Sequence, residues 1–202
     1  MFVPGLTIPW YTQPGDAQPS GAPATRFYWH GMIRECTSGE FDAIHAVMND
    51  AAAAYRGIIA ADRWNEPYMS REELRQEIEA GVAFWGFFES DNLLGVMGRQ
   101  LVSDVALIRH AYTRTASQGM GIGGALLAHV QRQTDRPILV GTWKAATWAV
   151  RFYEARGFRL IDAPQKDALL RRYWTVPARQ IEESVVLAND RWSGTPGIAS
   201  DR

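Results

Sequence analysis

Four glycines between residues 119 and 124 are the feature of this sequence with the clearest chemical potential: Gly119, Gly121, Gly123 and Gly124. They follow an extended segment and precede apolar residues at helical spacing, so they mark the start of a helix. The first backbone N–H groups of a helix have no partner within it, and residues without a Cβ atom let an anion approach them closely. The segment therefore predicts a phosphate-binding loop.

Two other phosphate-binding patterns compete for these glycines. Gly119-x-Gly121-x-x-Gly124 also satisfies the dinucleotide fingerprint, which needs a strand directly before it and an acidic residue at the end of the next strand. The next predicted strand ends instead at residues 142–144, Thr-Trp-Lys, without a carboxylate. A nucleotide-triphosphate loop is excluded because the chain contains no Gly-Lys-Ser/Thr sequence. The dinucleotide pattern keeps a nicotinamide-dependent oxidoreductase open as an alternative function.

Two blocks of the sequence resemble a known family. The spacing Gln118-x-x-Gly121-x-Gly123 resembles the acyl-CoA pyrophosphate loop of the GCN5-related N-acetyltransferases, whose usual form is Arg or Gln, two residues, Gly, one residue, and Gly or Ala. Residues 149–158, Ala-Val-Arg-Phe-Tyr-Glu-Ala-Arg-Gly-Phe, resemble that family's Phe-Tyr-Glu-x-x-Gly-Phe segment and follow in the family's order. The resemblance covers roughly residues 32–188 in element order. It implies a sheet in which the two strands beside the glycine helix splay apart to admit acetyl-CoA.

The resemblance also implies which residues hold this cosubstrate. Backbone N–H groups of the glycine loop would bind the pyrophosphate, and the edge of the strand before the loop would bind the pantetheine arm and polarise the thioester. The predicted cofactor-binding residues are Ala111, Tyr112, Thr113, Gln118, Gly119, Met120, Gly121, Ile122 and Gly123. Gln118 stands where the family commonly has arginine, and Arg114 or Arg132 could supply the missing charge.

Tyr153 and His110 are the predicted catalytic residues. Tyr153 occupies the position at which the family's tyrosine commonly protonates the departing CoA thiolate, which a phenol of pKa ~10 can do at neutral pH. His110 lies on the strand expected beside the thioester and is a candidate base for the acceptor amine. Glu66, Glu89 and Asp104 are alternative bases that would act through water. The competing interpretation is that Tyr153 packs in the core and His110 is structural.

Acceptor contacts are implied in the loop after the first helix and in an early strand. The candidates are Tyr55, Trp64, Tyr68 and Trp85, whose rings could hold a cationic or apolar amine, with Glu66 as a counter-charge. The alternative is that each aromatic side chain simply packs its loop or strand.

Hydrophobic periodicity predicts the elements that must position these residues. Two helices, each starting at a capping box (residues 37–40 and 70–73), are expected before most of the sheet. Strands are predicted over residues 33–35, 82–89, 93–101, 105–113, 137–143, 158–161 and 184–188, with further helices from the glycines to about residue 133, over residues 145–156, and in a helical connector before the last strand. The predicted fold class is α/β, or α+β, with about six to seven strands in a mixed central sheet and about four flanking helices.

The chain divides into an acetyltransferase-like domain and two ends. Residues 1–31 hold five of the ten prolines and are predicted to be an irregular extension, followed by the domain over residues 32–190 and a tail over residues 191–202. The aromatic residues of the extension could anchor it on the domain or on a second subunit, so a homodimer is one expected assembly. In an alternative interpretation the protein begins at Met32.

Composition limits the partners. The 21 basic and 22 acidic residues nearly cancel, so the charge balance favours neither nucleic acid nor an anionic membrane, and no apolar run reaches the ~18 residues of a membrane span. One cysteine and four scattered histidines predict no disulfide and no metal site. We expect a cytoplasmic enzyme that acts on a small-molecule amine.

The sequence thus predicts an acetyl-CoA-dependent N-acetyltransferase that transfers the acetyl group directly to a primary amine in a ternary complex. The main alternative is an acyl-CoA-binding sensor that keeps the phosphate-binding loop without catalysing transfer.

Overall fold

The computed structural model describes residues 31–57, 64–174 and 176–194, so the predicted extension before Gly31 and most of the predicted tail lie outside the described residues. The helices and strands in the described part follow in the order β1 (Met32–Glu35), α1 (Phe41–Ala52), α2 (Arg71–Glu79), β2 (Val82–Glu89), β3 (Asn92–Val102), β4 (Val105–Thr113), α3 (Ile122–Arg132), β5 (Ile138–Trp143), α4 (Thr147–Glu154), β6 (Arg159–Leu160), α5 (Ala163–Tyr173), α6 (Ala178–Glu182) and β7 (Ser184–Ala188).

The seven strands form one mixed sheet in the order β1-β2-β3-β4-β5-β7-β6. Every neighbouring pair is antiparallel except β4 and β5, which run parallel. The parallel pair requires a crossover connection, and the glycine loop with α3 provides it. The predicted mixed α/β sheet is therefore confirmed.

Two hydrophobic cores cover the two faces of the sheet. The first packs α1, α2 and α5 on one face through residues such as Met48, Leu74 and Leu169. The second packs α3 and the aromatic residues of α4 on the other face, through residues such as Leu126 and Phe152. Strand alternation distributes side chains between them, which is why the successive β2 residues Phe84 and Trp85 belong to different cores.

Local signals set the helix starts much as the sequence predicts. Glu40 reaches back to the N–H of Thr37 (2.5 Å), and Glu73 reaches back to the N–H of Ser70 (2.8 Å), as in a capping box. The predicted helix over residues 145–156 is shorter, because a turn from Trp143 to Ala146 precedes it. The predicted connector is two helices, α5 and α6, which with the four expected helices makes six in the described part. No helix of that part combines the length and apolar character needed to cross a bilayer.

Candidate functional site

The parallel strands β4 and β5 separate part of the way along their length. Their pairing covers Ala106 to Ile108 on β4 and Ile138 to Val140 on β5. Beyond this point β4 continues to Thr113, while Gly141–Trp143 of β5 pair only with β7. The two facing edges of the opened strands therefore leave backbone groups available for an extended ligand.

A bulge in β4 lies at the start of this opening. Met97 of β3 stands opposite both His110 and Ala111, and His110 has a φ of 53°. The extra residue turns the side chains of Arg109 and His110 to the same face, toward α2, where both contact Glu77.

The glycine loop leads from the end of β4 into α3. Gly119 and Gly121 have φ values of 77° and 82°, which side chains with a Cβ adopt only with strain, and a Cβ at either position would meet open space. Gly121 is the N-cap of α3 and offers no side chain to accept a hydrogen bond. The N–H groups of the first turn have no intrahelical acceptor, and the exposed Gly119 and Gly121 leave open space beside them, which suits a diphosphate.

Three contacts hold this loop in place. The N–H of Thr115 donates to the Asp50 carboxylate at the end of α1 (2.6 Å), and Nε of Arg114 donates to the Leu93 carbonyl (2.8 Å). The Gln118 amide reaches the Thr113 carbonyl more weakly (3.4 Å). Arg114 is therefore hydrogen-bonded to β3. Arg132 lies in the last turn of α3, about 15 Å along the helix from its start. Neither position fits the predicted replacement for the family's arginine.

Arg156 supplies a positive charge at the start of α3 instead. Its guanidinium lies 3.0 Å from where a Cβ of Gly124 would be, is 3.9 Å from the centre of the Phe152 ring, and donates to the Phe152 carbonyl (2.9 Å). Burial lowers the pKa of Arg156. A cation beside the positive end of a helix repels the helix dipole and attracts an anion to the same place. Arg156 lies within residues 149–158, the second block that resembles the family, but only the fold shows that its guanidinium reaches the glycine loop.

Buried tyrosines lie around the opening: Tyr55 and Tyr68 in the core on the α1 and α2 side, and Tyr153 in the core on the α3 side. Burial raises the pKa of Tyr55 well above its usual value, and Tyr68 and Tyr153 lie close enough to raise it further. Tyr68 has a pKa raised to about 12 by burial. Two hydrogen bonds of 3.0 Å between Asn49 and the backbone of Met69 fix the loop that carries Tyr68. The structure therefore brings Tyr55, Tyr68 and Tyr153 together as one group.

Tyr153 is fully buried beside the opening. Its ring makes edge contacts with Phe152 (5.0 Å) and Phe158 (5.4 Å), so it belongs to the α3-side core, and it lies close enough to Tyr55 to contribute to the raised pKa of that residue. Tyr153 therefore packs in the core and also lies near the opening. Its catalytic role remains a prediction.

Some predicted acceptor residues lie apart from this group. Trp85 packs in the α3-side core with Arg99 over its ring (4.6 Å), because alternation along β2 turns it away from Tyr68. Trp64 contacts Tyr68 (5.5 Å), but the exposed Glu66 already accepts hydrogen bonds from Arg56 (2.7 Å) and Trp64 (3.2 Å). Glu66 thus pairs with Arg56 at an exposed surface, and its role as a counter-charge for an amine remains a prediction.

The alternative bases also lie away from the opening. Glu89 ends β2 at the exposed hairpin turn, paired in register with Asn92. Asp104 precedes β4 at the end opposite the bulge and accepts a hydrogen bond from the Tyr173 hydroxyl (2.7 Å). Of the four candidate bases, all of which the structure describes, only His110 lies at the point where the strands part.

The opening fits the phosphate and amide groups of an acyl-CoA. The glycine loop presents N–H groups and space for a diphosphate, and Arg156 adds charge there. Within the described residues, the Thr113 hydroxyl at the end of β4 is buried without a hydrogen-bond partner, and such a group is costly unless a ligand or water satisfies it. In the same residues, no group of three or more His, Cys, Asp or Glu side chains could hold a metal ion.

The family assignment follows from a direct match. The acetyltransferase (GNAT) domain model matches residues 46–172, more than half of the chain, so the protein belongs to the GNAT acetyltransferase family. The peptidyl-lysine N-acetyltransferase YiaC of Escherichia coli K12 is 24% identical over 136 residues, which cover 67% of this chain and 88% of YiaC.

Solved structures have the same fold. The PaiA N-acetyltransferase of Thermoplasma acidophilum, solved in complex with coenzyme A, superposes with a TM-score of 0.60 at 17% identity over 79% of this chain and 98% of its own. A GNAT-family acetyltransferase of Staphylococcus aureus Mu50 gives a TM-score of 0.60 at 16% identity over 80% of this chain and 99% of its own. The family match leaves the oxidoreductase alternative without support.

Proposed function

We propose that this protein is an acetyl-CoA-dependent N-acetyltransferase that acetylates a primary amine by direct attack in a ternary complex. The observation that carries the proposal is the position of the β4–β5 opening, which lies between the glycine loop on one side and the group of Tyr55, Tyr68 and Tyr153 on the other. A cosubstrate bound at the loop and an acceptor bound among the tyrosines would meet at the bulge.

Bound acetyl-CoA would supply an acyl thioester already activated for attack. N–H groups of residues 119–123 would hold its pyrophosphate, assisted by Arg156. The free edge of β4 at Ala111 and Thr113 would orient the pantetheine arm and direct a backbone N–H at the thioester oxygen.

The remaining side chains would handle the protons. His110 would take the proton that the amine loses, and Tyr153 would donate its hydroxyl proton to the departing sulfur. The amine attacks the acyl carbon, the carbon–sulfur bond breaks, and each proton has a nearby residue to accept or supply it.

The aromatic lining supports an acceptor with an apolar or cationic portion next to its amine. A relative that acts on peptidyl-lysine makes lysine-containing peptides one class to test beside polyamines, amino acids and protein N-termini. The alternative acyl-CoA sensor would have the same loop and would bind CoA without turnover.

An amine panel monitored by CoA release tests the proposal. We expect transfer to at least one amine class and no acetyl group retained on the protein when acetyl-CoA is supplied alone. Tight CoA binding with no transfer to any class would favour the sensor, and persistent acetylation of Cys36 or Tyr153 would contradict direct transfer.

A further inference from the structure

We propose that Glu77 is the positioning residue for the base of this reaction: it binds Nε2 of His110 and thereby leaves the Nδ1 lone pair to accept the amine proton. The inference rests on the proposed function and adds a residue from α2, a helix in which the sequence shows no catalytic candidate.

The geometry consists of three side chains at the β4 bulge. Both carboxylate oxygens of Glu77 accept from Nη2 of Arg109 at 2.7 Å, and Oε2 also lies 3.0 Å from Nε2 of His110. Glu77, Arg109 and His110 are 9%, 7% and 1% exposed, so water competes little for these contacts. Glu77 is more than 30 positions away in sequence from the adjacent residues Arg109 and His110.

These contacts define the proton positions. Burial opposes the charged form of Glu77, but His110 and Arg109 outweigh it and hold the pKa of the carboxyl below its usual value. An ionised carboxylate only accepts, so Nε2 must carry the proton that it shares with Glu77. In a neutral imidazole the other nitrogen is then an acceptor, and within the described residues Nδ1 of His110 is buried with no hydrogen-bond partner.

Charge balance supports the same assignment. Glu77 and Arg109 cancel, so a neutral His110 leaves the buried cluster without net charge. When His110 takes a proton, the adjacent carboxylate stabilises the imidazolium that forms. The arrangement suits a base that is neutral at rest and charged for part of the cycle.

A cavity next to Glu77 provides a route by which the proton can reach solvent. A cavity of about 420 Å³ is lined by Glu77 and Arg109 and extends to Arg171 and Arg172 on α5. A proton received at Nδ1 can be balanced by transfer of the Nε2 proton to Glu77 and then to water in this cavity. The amine loses one proton, the solvent gains one, and Glu77 is again a carboxylate. His110 is then neutral with its proton on Nδ1, and it regains the resting tautomer after product release, when Nδ1 gives its proton to solvent and Nε2 takes one back through Glu77.

The other groups around His110 leave this assignment intact. Its ring stacks between Phe84 (5.9 Å) and Tyr112 (6.4 Å). Burial raises the pKa of Tyr112 well above its usual value, so this phenol stays neutral at physiological pH. Glu77 and Arg109 are thus the charged groups that contact or closely face the imidazole, with the α5 arginines across the cavity.

Glu77→Gln tests the proposal, with Glu79→Gln as the matched control, since Glu79 is an exposed residue on the same helix. We expect Glu77→Gln to lower kcat about tenfold or more, to move the acidic limb of the kcat/KM profile to lower pH because the imidazolium loses its carboxylate, and to leave the CoA dissociation constant within about twofold. Glu79→Gln should match the wild type in all three measurements.

A double-variant comparison separates positioning from general structure. If Glu77 acts through His110, Glu77→Gln should cause little further loss of kcat in a His110→Gln background. Equal losses in both backgrounds, or an unchanged pH profile, would overturn the proposal. Because Glu77→Gln leaves Arg109 buried without its counter-ion, the Glu77→Gln/Arg109→Gln protein provides a folded neutral pair if the single variant does not fold.

Nitrogen NMR tests the tautomer without turnover. Long-range ¹H–¹⁵N spectra, with His110 assigned by comparison with His110→Gln, should show Nε2 protonated and Nδ1 unprotonated near pH 8. A protonated Nδ1 would overturn the proposal even in an active enzyme. A wild type that shows the expected tautomer but acetylates no amine would instead refute the proposed function, and with it the use of this base.

Discussion

The two sides of the β4–β5 opening are built in different ways. On the proposed cofactor side, backbone N–H groups, two left-handed glycines and one arginine make the site, and consecutive residues supply most of it. On the proposed acceptor side, side chains from α2, β4, α4 and the segments that follow α1 and precede α2 make the site, and residues distant in sequence supply them. The cofactor side depends on local conformation, whereas the acceptor side depends on how the helices pack on the sheet.

This difference predicts different responses to substitution. Most side-chain substitutions leave the backbone N–H groups in place. CoA binding should therefore be weakened chiefly by substitutions that alter φ and ψ. Catalysis should fall when a single buried polar atom on the acceptor side is removed, because the groups that it contacts then lose a hydrogen-bond partner. Catalysis and binding of CoA should therefore be separable.

Tyr153→Phe should have the largest effect on catalysis. Removal of the hydroxyl takes away the proposed acid for the departing thiolate, and we expect kcat to fall by about 10²-fold while the CoA dissociation constant stays within about twofold. Steady-state kinetics and calorimetric titration with CoA measure the two quantities. Tyr173→Phe is the control, since that hydroxyl bonds Asp104 at the other end of β4. A Tyr153→Phe enzyme with wild-type kcat would assign this tyrosine to the core alone.

Gly121→Val should have the next largest effect and should act on binding. Its φ of 82° forces a β-branched residue into a strained conformation, which should destabilise the fold by about 1–3 kcal/mol and weaken CoA binding by about tenfold as the helix start distorts. Gly81 has a φ of 93° and equally open surroundings in the α2–β2 turn, away from the loop.

Gly81→Val is the control for Gly121→Val, because it introduces similar backbone strain outside the glycine loop and so separates the effect on CoA binding from the effect on stability. Gly81→Val should lower the melting temperature similarly and leave the CoA dissociation constant unchanged. If both variants weaken CoA binding equally, the loss reflects general instability and the glycine loop is not the pyrophosphate site.

The same contrast explains what the sequence could predict. Strands β2, β4 and β7 have the predicted bounds because alternation and apolar runs are local signals, and both capping boxes form because three-residue spacing is local too. The glycine loop is predictable for the same reason. Its neighbours define its conformation, and its function needs few side chains.

The acceptor side could not be predicted to the same extent. Glu77 is a helix residue with no motif around it, and only the packing of α2 on the β4 bulge brings it to His110. Arg156 reaches Gly124 through the docking of α4 beside α3, which no residue spacing indicates. Trp85 shows the converse: strict alternation with the buried Phe84 already indicates that the two rings face opposite sides.

Arg156→Gln should reduce CoA affinity by a smaller factor. The guanidinium adds charge to a site that backbone donors already form, so we expect a loss of about three- to tenfold in the CoA dissociation constant and a weaker dependence of binding on salt. Titrations at low and high salt measure both. Arg151→Gln removes an exposed charge from the same helix and should change neither quantity. An Arg156→Gln protein with unchanged affinity and salt dependence would show that the backbone alone binds the phosphates.

The smallest effect should appear in the acid stability of the acceptor side. The folded-state pKa of Glu77 is lowered, so its pairing with Arg109 and His110 contributes stability above the unfolded pKa of about 4.5, and this contribution is lost as the pH falls below that value. Denaturant unfolding at several pH values between about 6 and 3 should therefore show a shallower decline of unfolding free energy for Glu77→Gln than for the wild type. Glu79→Gln should follow the wild-type slope. Equal slopes for all three proteins would mean that Glu77 titrates alike in the folded and unfolded chains, and the acceptor side would then lack the buried ion pair that distinguishes it from the cofactor side.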